Sequence, residues 1–140
     1  RVYILDASEQ VIIENCEECE IVVAACCSTT FVRQSKNCKL WVAAKQMYMI
    51  GCSNITVKHF CVIPPNIEKC TDIVFGVFNV RFPRAFEAWT RAGLLSEKNK
   101  CIKHYRKVYD ADAESGKKHF TIERFVRSDD TTSCSSFGTL

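Results

Sequence analysis

Ten cysteines are distributed over the 140 residues of this chain, and the pair in Cys16-Glu-Glu-Cys19 has the spacing of half a zinc site. A structural zinc site takes about four thiolate or imidazole ligands, so the pair has meaning only if a second pair meets it. Written in columns, Cys16, Ser35, Cys52 and Cys70 are separated by 19, 17 and 18 residues, and Cys19, Cys38, Ile55 and Ile73 follow with the same spacings. A ligand column that accepts serine and isoleucine is a packing ladder, in which free cysteine serves as a small hydrophobe. His59, His104 and His119 show no ligand spacing to these cysteines. The pattern implies neither a metal nor another cofactor.

The spacing itself is the signal. The chain repeats about every 18 residues, in the segments IIENCEECEIVV (12–23), FVRQSKNCKLWV (31–42), YMIGCSNITVKH (48–59) and NIEKCTDIVFGV (66–77). A period that short, carried by β-branched and aromatic residues, predicts an all-β solenoid of parallel strands in which each coil buries its inner face on the next. Strand alternation then sorts the faces. Ile13, Val32, Met49 and Ile67 form one inward column, which turns Ile12, Phe31, Tyr48 and Asn66 outward before it and Glu14, Arg33, Ile50 and Glu68 outward after it. Ile12, Phe31, Tyr48 and Ile50 make an outward apolar strip, either covered by the C-terminal third of the chain or presented to a partner.

Composition sets further bounds. The chain is one domain's worth of residues, and 47% hydrophobic content is ample for a single core. Its net charge of +3 comes from interspersed charges of both signs. The basic stretch from Lys100 to Lys107 reads as a solvated helix face, so no nucleic-acid footprint results. No apolar run reaches the ~18 residues of a membrane span. The cysteines lie within apolar runs, as in a reducing, cytosolic compartment. The chain opens at Arg1, which we read as a fragment whose targeting or lipidation signal would lie outside it.

After residue 77 the period changes. Pro83, the run from Arg84 to Ala92 and Gly93 predict a short capping helix at about 83–93, with Ala85, Phe86, Trp89 and Ala92 on one face. Trp41 and Trp89 are read as core or helix-packing anchors. Residues 1–95 form the solenoid domain in this reading. Residues 96–127 form a helical and strand extension packed on it, with a helix around 98–109 and a strand within 119–126. The end, 128–140, reads as a disordered tail.

Several of these segments carry a resemblance. YILDAS (3–8), NCEEC (15–19), NCKLWVAAKQ (37–46), PNIEKCTDIVFGVF (65–78) and FP followed by AGL (82–94) resemble the tubulin-binding cofactor C domain family. Within it they are most similar to the branch containing the X-linked retinitis pigmentosa protein. The C-terminal domain of cyclase-associated proteins, which binds actin, shares the fold with a poorer match. The resemblance implies a right-handed parallel β-helix with a flanking C-terminal helix. It also implies GTPase activation toward tubulin or an Arf-like small GTPase through an arginine finger, which neutralises charge on the transferring phosphoryl group and is worth about 10³–10⁵ in rate.

In the family that arginine closes a Cys-Gln-Gln-Phe-Arg segment. Here the segment is Ala44-Lys45-Gln46-Met47-Tyr48, so Tyr48 stands at the finger position. By the resemblance Gln46 and Glu68 keep the frame around the finger, while a second basic position has become Ile50. Lys45 has the wrong strand parity to substitute. Arg33, outward and one coil away, is read first as a ladder partner of Glu14.

Three functions stay open. The leading one is a binding module of the cytoplasm, cytoskeleton, basal body or cilium that engages tubulin or an Arf-like GTPase, with weak or no GTPase activation and no enzyme activity of its own. Its expected contact residues are Phe31, Arg33, Gln46, Tyr48, Ile50, Glu68 and Phe78. The alternative is an active GTPase activator using Arg33 or an arginine outside the chain. The third is an actin-binding domain like that of the cyclase-associated proteins. The Asn-Trp-Asp-Phe ending of the family finds no counterpart beyond Tyr109-Asp110.

Overall fold

The computed structural model describes residues 1–94, 107–114, 116–123 and 132–133. The repeats stack as parallel strands: β1 (Val2–Ser8), β2 (Val11–Glu14), β3 (Glu20–Arg33), β4 (Lys36–Ile50), β5 (Ser53–Cys61), β6 (Asn66–Glu68) and β7 (Thr71–Val77). After them come β8 (Val80–Arg81), the helix α1 (Ala85–Ala92), β9 (Tyr109–Asp110), β10 (Phe120–Ile122) and β11 (Thr132–Ser133). Among the described residues the result is a β-solenoid with one flanking helix.

Each coil contributes to two strips of sheet. One strip runs β1-β3-β4-β5-β7-β10, and the other runs β2-β3-β4-β6-β9. The long strands β3 and β4 serve both, with register shifts between Val23 and Thr29 where β3 turns from one strip to the next. In the second strip Ile13, Val32, Met49 and Ile67 are in register, and all four are buried. The inward column read from the repeat is the core column of the solenoid, because alternation leaves every second residue of a half-buried strand no other place to go.

The cysteine columns have a role beyond packing. Four coils turn through paired left-handed residues three apart: Asn15 and Glu18, Gln34 and Asn37, Gly51 and Asn54, Lys69 and Asp72, with φ from 48° to 66°. After the first of each pair stands Cys16, Ser35, Cys52 or Cys70. Its thiol or hydroxyl donates to the carbonyl two residues back, on Glu14 (3.5 Å), Arg33 (3.0 Å), Ile50 (3.5 Å) and Glu68 (3.3 Å). Cys19 and Cys38 latch the second corner of their coils in the same way, onto Glu17 and Lys36. Gly51 suits its corner: φ is +66°, which glycine adopts without strain, and a Cβ there would stand 2.6 Å from the end of the Gln34 side chain, which would have to shift. The eight described cysteines are free thiols.

β7 ends at Val77, and among the described residues strand pairing with the stack is next made at Tyr109. Tyr109 and Asp110 pair with Asn66 and Ile67, and Phe120 pairs with Ile73. The core column therefore ends in Asp110 rather than in an aliphatic residue, and its Oδ2 lies 2.7 Å from His119 Nδ1. Their side chains are only 8% and 20% exposed, respectively. Residues 80–94 fold back over the first strip. There α1 ends at Gly93, whose positive φ lets Gly93 and Leu94 donate to the carbonyls of Thr90 and Trp89.

Two expectations are corrected here. The buried residues of α1 are Ala88 and Ala92, while Phe86 is 73% exposed. Positions 85, 88, 89 and 92 fall within one face of a 3.6-residue helix, and Phe86 lies about 100° from Ala85, so alanines rather than the aromatic ring meet the sheet. Tyr109, placed at the end of a helix around 98–109, lies in β9; most of that segment is outside the described residues. Of 128–140 only Thr132–Ser133 is described, paired in parallel with Val80–Arg81. No helix among the described residues is long and apolar enough to cross a membrane.

Candidate functional site

The second half of β4 sets the geometry around Tyr48. Met47 and Met49 are fully buried, which turns Gln46, Tyr48 and Ile50 to the outside, each half-buried. Lys45 is exposed at the bend, off the line of these three. The rows pair Gln46 with Thr29, Tyr48 with Phe31 and Asn66, and Ile50 with Arg33 and Glu68. Gln46, Tyr48, Ile50, Glu68, Phe31 and Arg33 thus share one face of the solenoid.

The contacts within this face are few. The Phe31 and Tyr48 rings lie 6.4 Å apart, tilted at 44°. The Tyr48 hydroxyl donates to Glu68 Oε2 over 3.5 Å, the long limit of a hydrogen bond. Arg33 is in register with Glu14, yet no ion pair joins them among the described residues. Its guanidinium carbon instead sits 4.8 Å from the centroid of Phe31, a cation–π contact. Arg33 is thus the ladder partner of Glu14, as read from the sequence, with its guanidinium resting on the ring of its strand neighbour two residues back.

Phe78 does not join this face. Its ring packs 5.7 Å from Trp89, which also stacks on Phe60 at 4.6 Å. These rings belong to a second cluster in which α1 covers Val22, Ala24, Trp41 and Ala43, the outward residues of the first strip. Trp41 and Trp89 are helix-packing anchors, as read from the sequence. The face around Tyr48 gains one residue the sequence did not reveal: Tyr109, 65% exposed, extends the Phe31-Tyr48-Asn66 column by one coil. Its only signal was the Tyr-Asp pair, since the period breaks before it.

The thiols divide: Cys70 is lowered to about 7, first by the hydrogen bond its thiol shares with Cys52, but it is buried in the core, and the others with a shift are raised. Burial pushes Cys16 and Cys38 above the usual thiol range; the nearby Cys19 adds to the rise at Cys16, while a backbone hydrogen bond at Cys19 opposes it at Cys38. Cys52 is raised further, first by the hydrogen bond its thiol shares with Cys70 and then by burial. Groups that hold their protons so firmly are poor nucleophiles at neutral pH.

A model of the family described as tubulin binding cofactor C matches residues 1–110. The chain belongs to the tubulin binding cofactor C family. Among solved structures it is similar to tubulin binding cofactor C from Leishmania major, with 22% identity, a TM-score of 0.75, and coverage of 89% of this chain and 84% of that one. At that identity the likeness supports the fold. No curated protein sequence matches significantly. As a cofactor C domain the chain is a binding module on a β-solenoid frame, and the tubulin binding cofactor C match spans the whole Tyr48 face, from β2 to β9.

Proposed function

We propose that this chain engages a GTPase-fold partner, tubulin or an Arf-like small GTPase, through the face around Tyr48 and leaves the partner's hydrolysis near its intrinsic rate. The observation that carries this reading is the residue at the finger position. A phenol has no positive charge in any protonation state, and a finger requires a cationic, planar donor that lysine itself does not replace. The frame residues Gln46 and Glu68 lie on the same face as Tyr48, and the nearest outward guanidinium, that of Arg33, rests on Phe31.

The finer attributes belong to the same proposal: right-handed winding, a domain limit near residue 95, kinship with the retinitis pigmentosa protein branch, and a place at the cytoskeleton, basal body or cilium. Titration of the full chain with αβ-tubulin and with an Arf-like GTPase in its GDP and GTP states tests the reading. Saturable binding to at least one is expected. Binding to neither, or binding to actin alone, would overturn it.

A further inference from the structure

We infer that the niche beside Glu68 receives a basic side chain, arginine or lysine, from the protein that docks on this face. The inference rests on the reading just given and adds the chemistry of the partner. The strands of the face turn three charged side chains outward, Glu14, Arg33 and Glu68. Two carboxylates thus stand against one guanidinium, although the whole chain carries +3. The guanidinium is engaged on Phe31, and its row lies two strands from Glu68, or roughly 9.6 Å by strand spacing.

Glu68 is half-buried and has no ion pair among the described residues. Its Oε2 accepts the Tyr48 hydroxyl at 3.5 Å, a bond at the long limit from an uncharged donor that leaves most of the carboxylate's lone pairs open. A partly desolvated carboxylate is where a charge-assisted bond, about twice as strong as a neutral one, gains most. The Tyr48 ring offers the electron-rich face that attracts an ammonium or guanidinium within ~6 Å. Ile50, in register with Glu68, supplies an aliphatic wall along which a methylene stem can lie. Carboxylate, ring and aliphatic wall together fit a long basic side chain. A hard metal ion would need several oxygen ligands instead.

The test is affinity of the full chain for αβ-tubulin and for a GTP-loaded Arf-like GTPase, at low and at physiological salt. For whichever partner binds the wild type, Glu68→Gln is expected to weaken binding about 3–10-fold and Glu68→Lys by about tenfold or more. Both should flatten the salt dependence. Glu87→Gln, on the far side of α1, should leave affinity and salt slope unchanged. If Glu68→Lys does not fold, Glu68→Gln and its salt slope decide alone. Wild-type affinity retained in both Glu68 variants overturns the inference. So does a loss of thermal stability with affinity unchanged, which would put the cation on this chain itself. Failure of the wild type to bind either partner is a different result: it removes the functional reading and this inference with it.

Discussion

On the strip covered by α1, the outward residues Val22, Ala24, Trp41, Ala43 and Phe60 are buried beneath Ala88, Ala92 and the Phe82 segment. On the strip around Tyr48, Phe31 and Tyr48 stay half-buried, and Ile12 and Tyr109 are 53% and 65% exposed. Both strips hang on one inner column and obey one alternation, so the fold itself does not decide which is covered. Side-chain size does. Alanines at 24 and 43 let a helix that is itself faced with alanines approach the sheet, and Trp89 then fills the remaining space against Phe60 and Phe78. The other strip raises Ile12, Phe31, Tyr48 and Ile50 at corresponding outward positions. Among the described residues one apolar face is closed by the chain's own helix and the other is left without such a cover, and a face of the second kind suits association.

The inner column sets the largest effect. Ile67→Ala should destabilise the fold by about 2–5 kcal/mol, the range for emptying a core site, measured by urea unfolding. A smaller loss than from Glu14→Ala would put both strips out of register by one residue. Next, Trp89→Ala should cost about 2–4 kcal/mol while the folded protein keeps wild-type affinity for its partner. A loss of affinity at equal folded fraction would break the contrast between the two faces.

The corner thiols sharpen the inner half of the picture. Cys16, Cys38 and Cys52 are raised above the usual 9.0 in the folded protein, so their protonated forms are favoured by folding. Their contribution is fully present below the unfolded thiol range and is lost as pH rises above about 9, whereas Cys70, lowered to about 7 by its bond to Cys52, adds stability between about 7 and 9, so stability should rise up to about 9 and fall beyond it. Thermal melts across that range check it; a continued rise beyond that point would mean that the corner latches are not thiol donors. Smaller still, Tyr48→Ala should change stability by less than about 1 kcal/mol, within the range of surface substitutions, while weakening partner binding.

The inner column and the face around Tyr48 were legible because a solenoid places like positions at a fixed period, and Ile13, Val32, Met49 and Ile67 repeat it in plain sequence. The corners were half legible. Asn15, Asn37, Asn54 and Gly51 are residue types that accept a positive φ, but Glu18, Gln34 and Lys69 give no such sign and are held there by the stack. What lay outside the period could not be read. Asp110 completes the core column only because His119 meets it from beyond the next turn, and Tyr109 joins the open face only because the chain comes back to pair beside Asn66. The register of Phe86 failed for a different reason: its hydrophobicity outweighed the smaller Ala88 in the sequence pattern, whereas close packing against the sheet selects the smaller side chain.

Single-turnover GTP hydrolysis by the bound partner tests the central claim most directly, using the wild type, Tyr48→Arg and Arg33→Ala. The account predicts a rate near the partner's intrinsic one with the wild type and with Arg33→Ala. It predicts a gain with Tyr48→Arg that falls short of the ~10³–10⁵ of a complete finger, since Ile50 still occupies the second basic position. Strong activation by the wild type, abolished by Arg33→Ala and untouched by Tyr48→Arg, would contradict it.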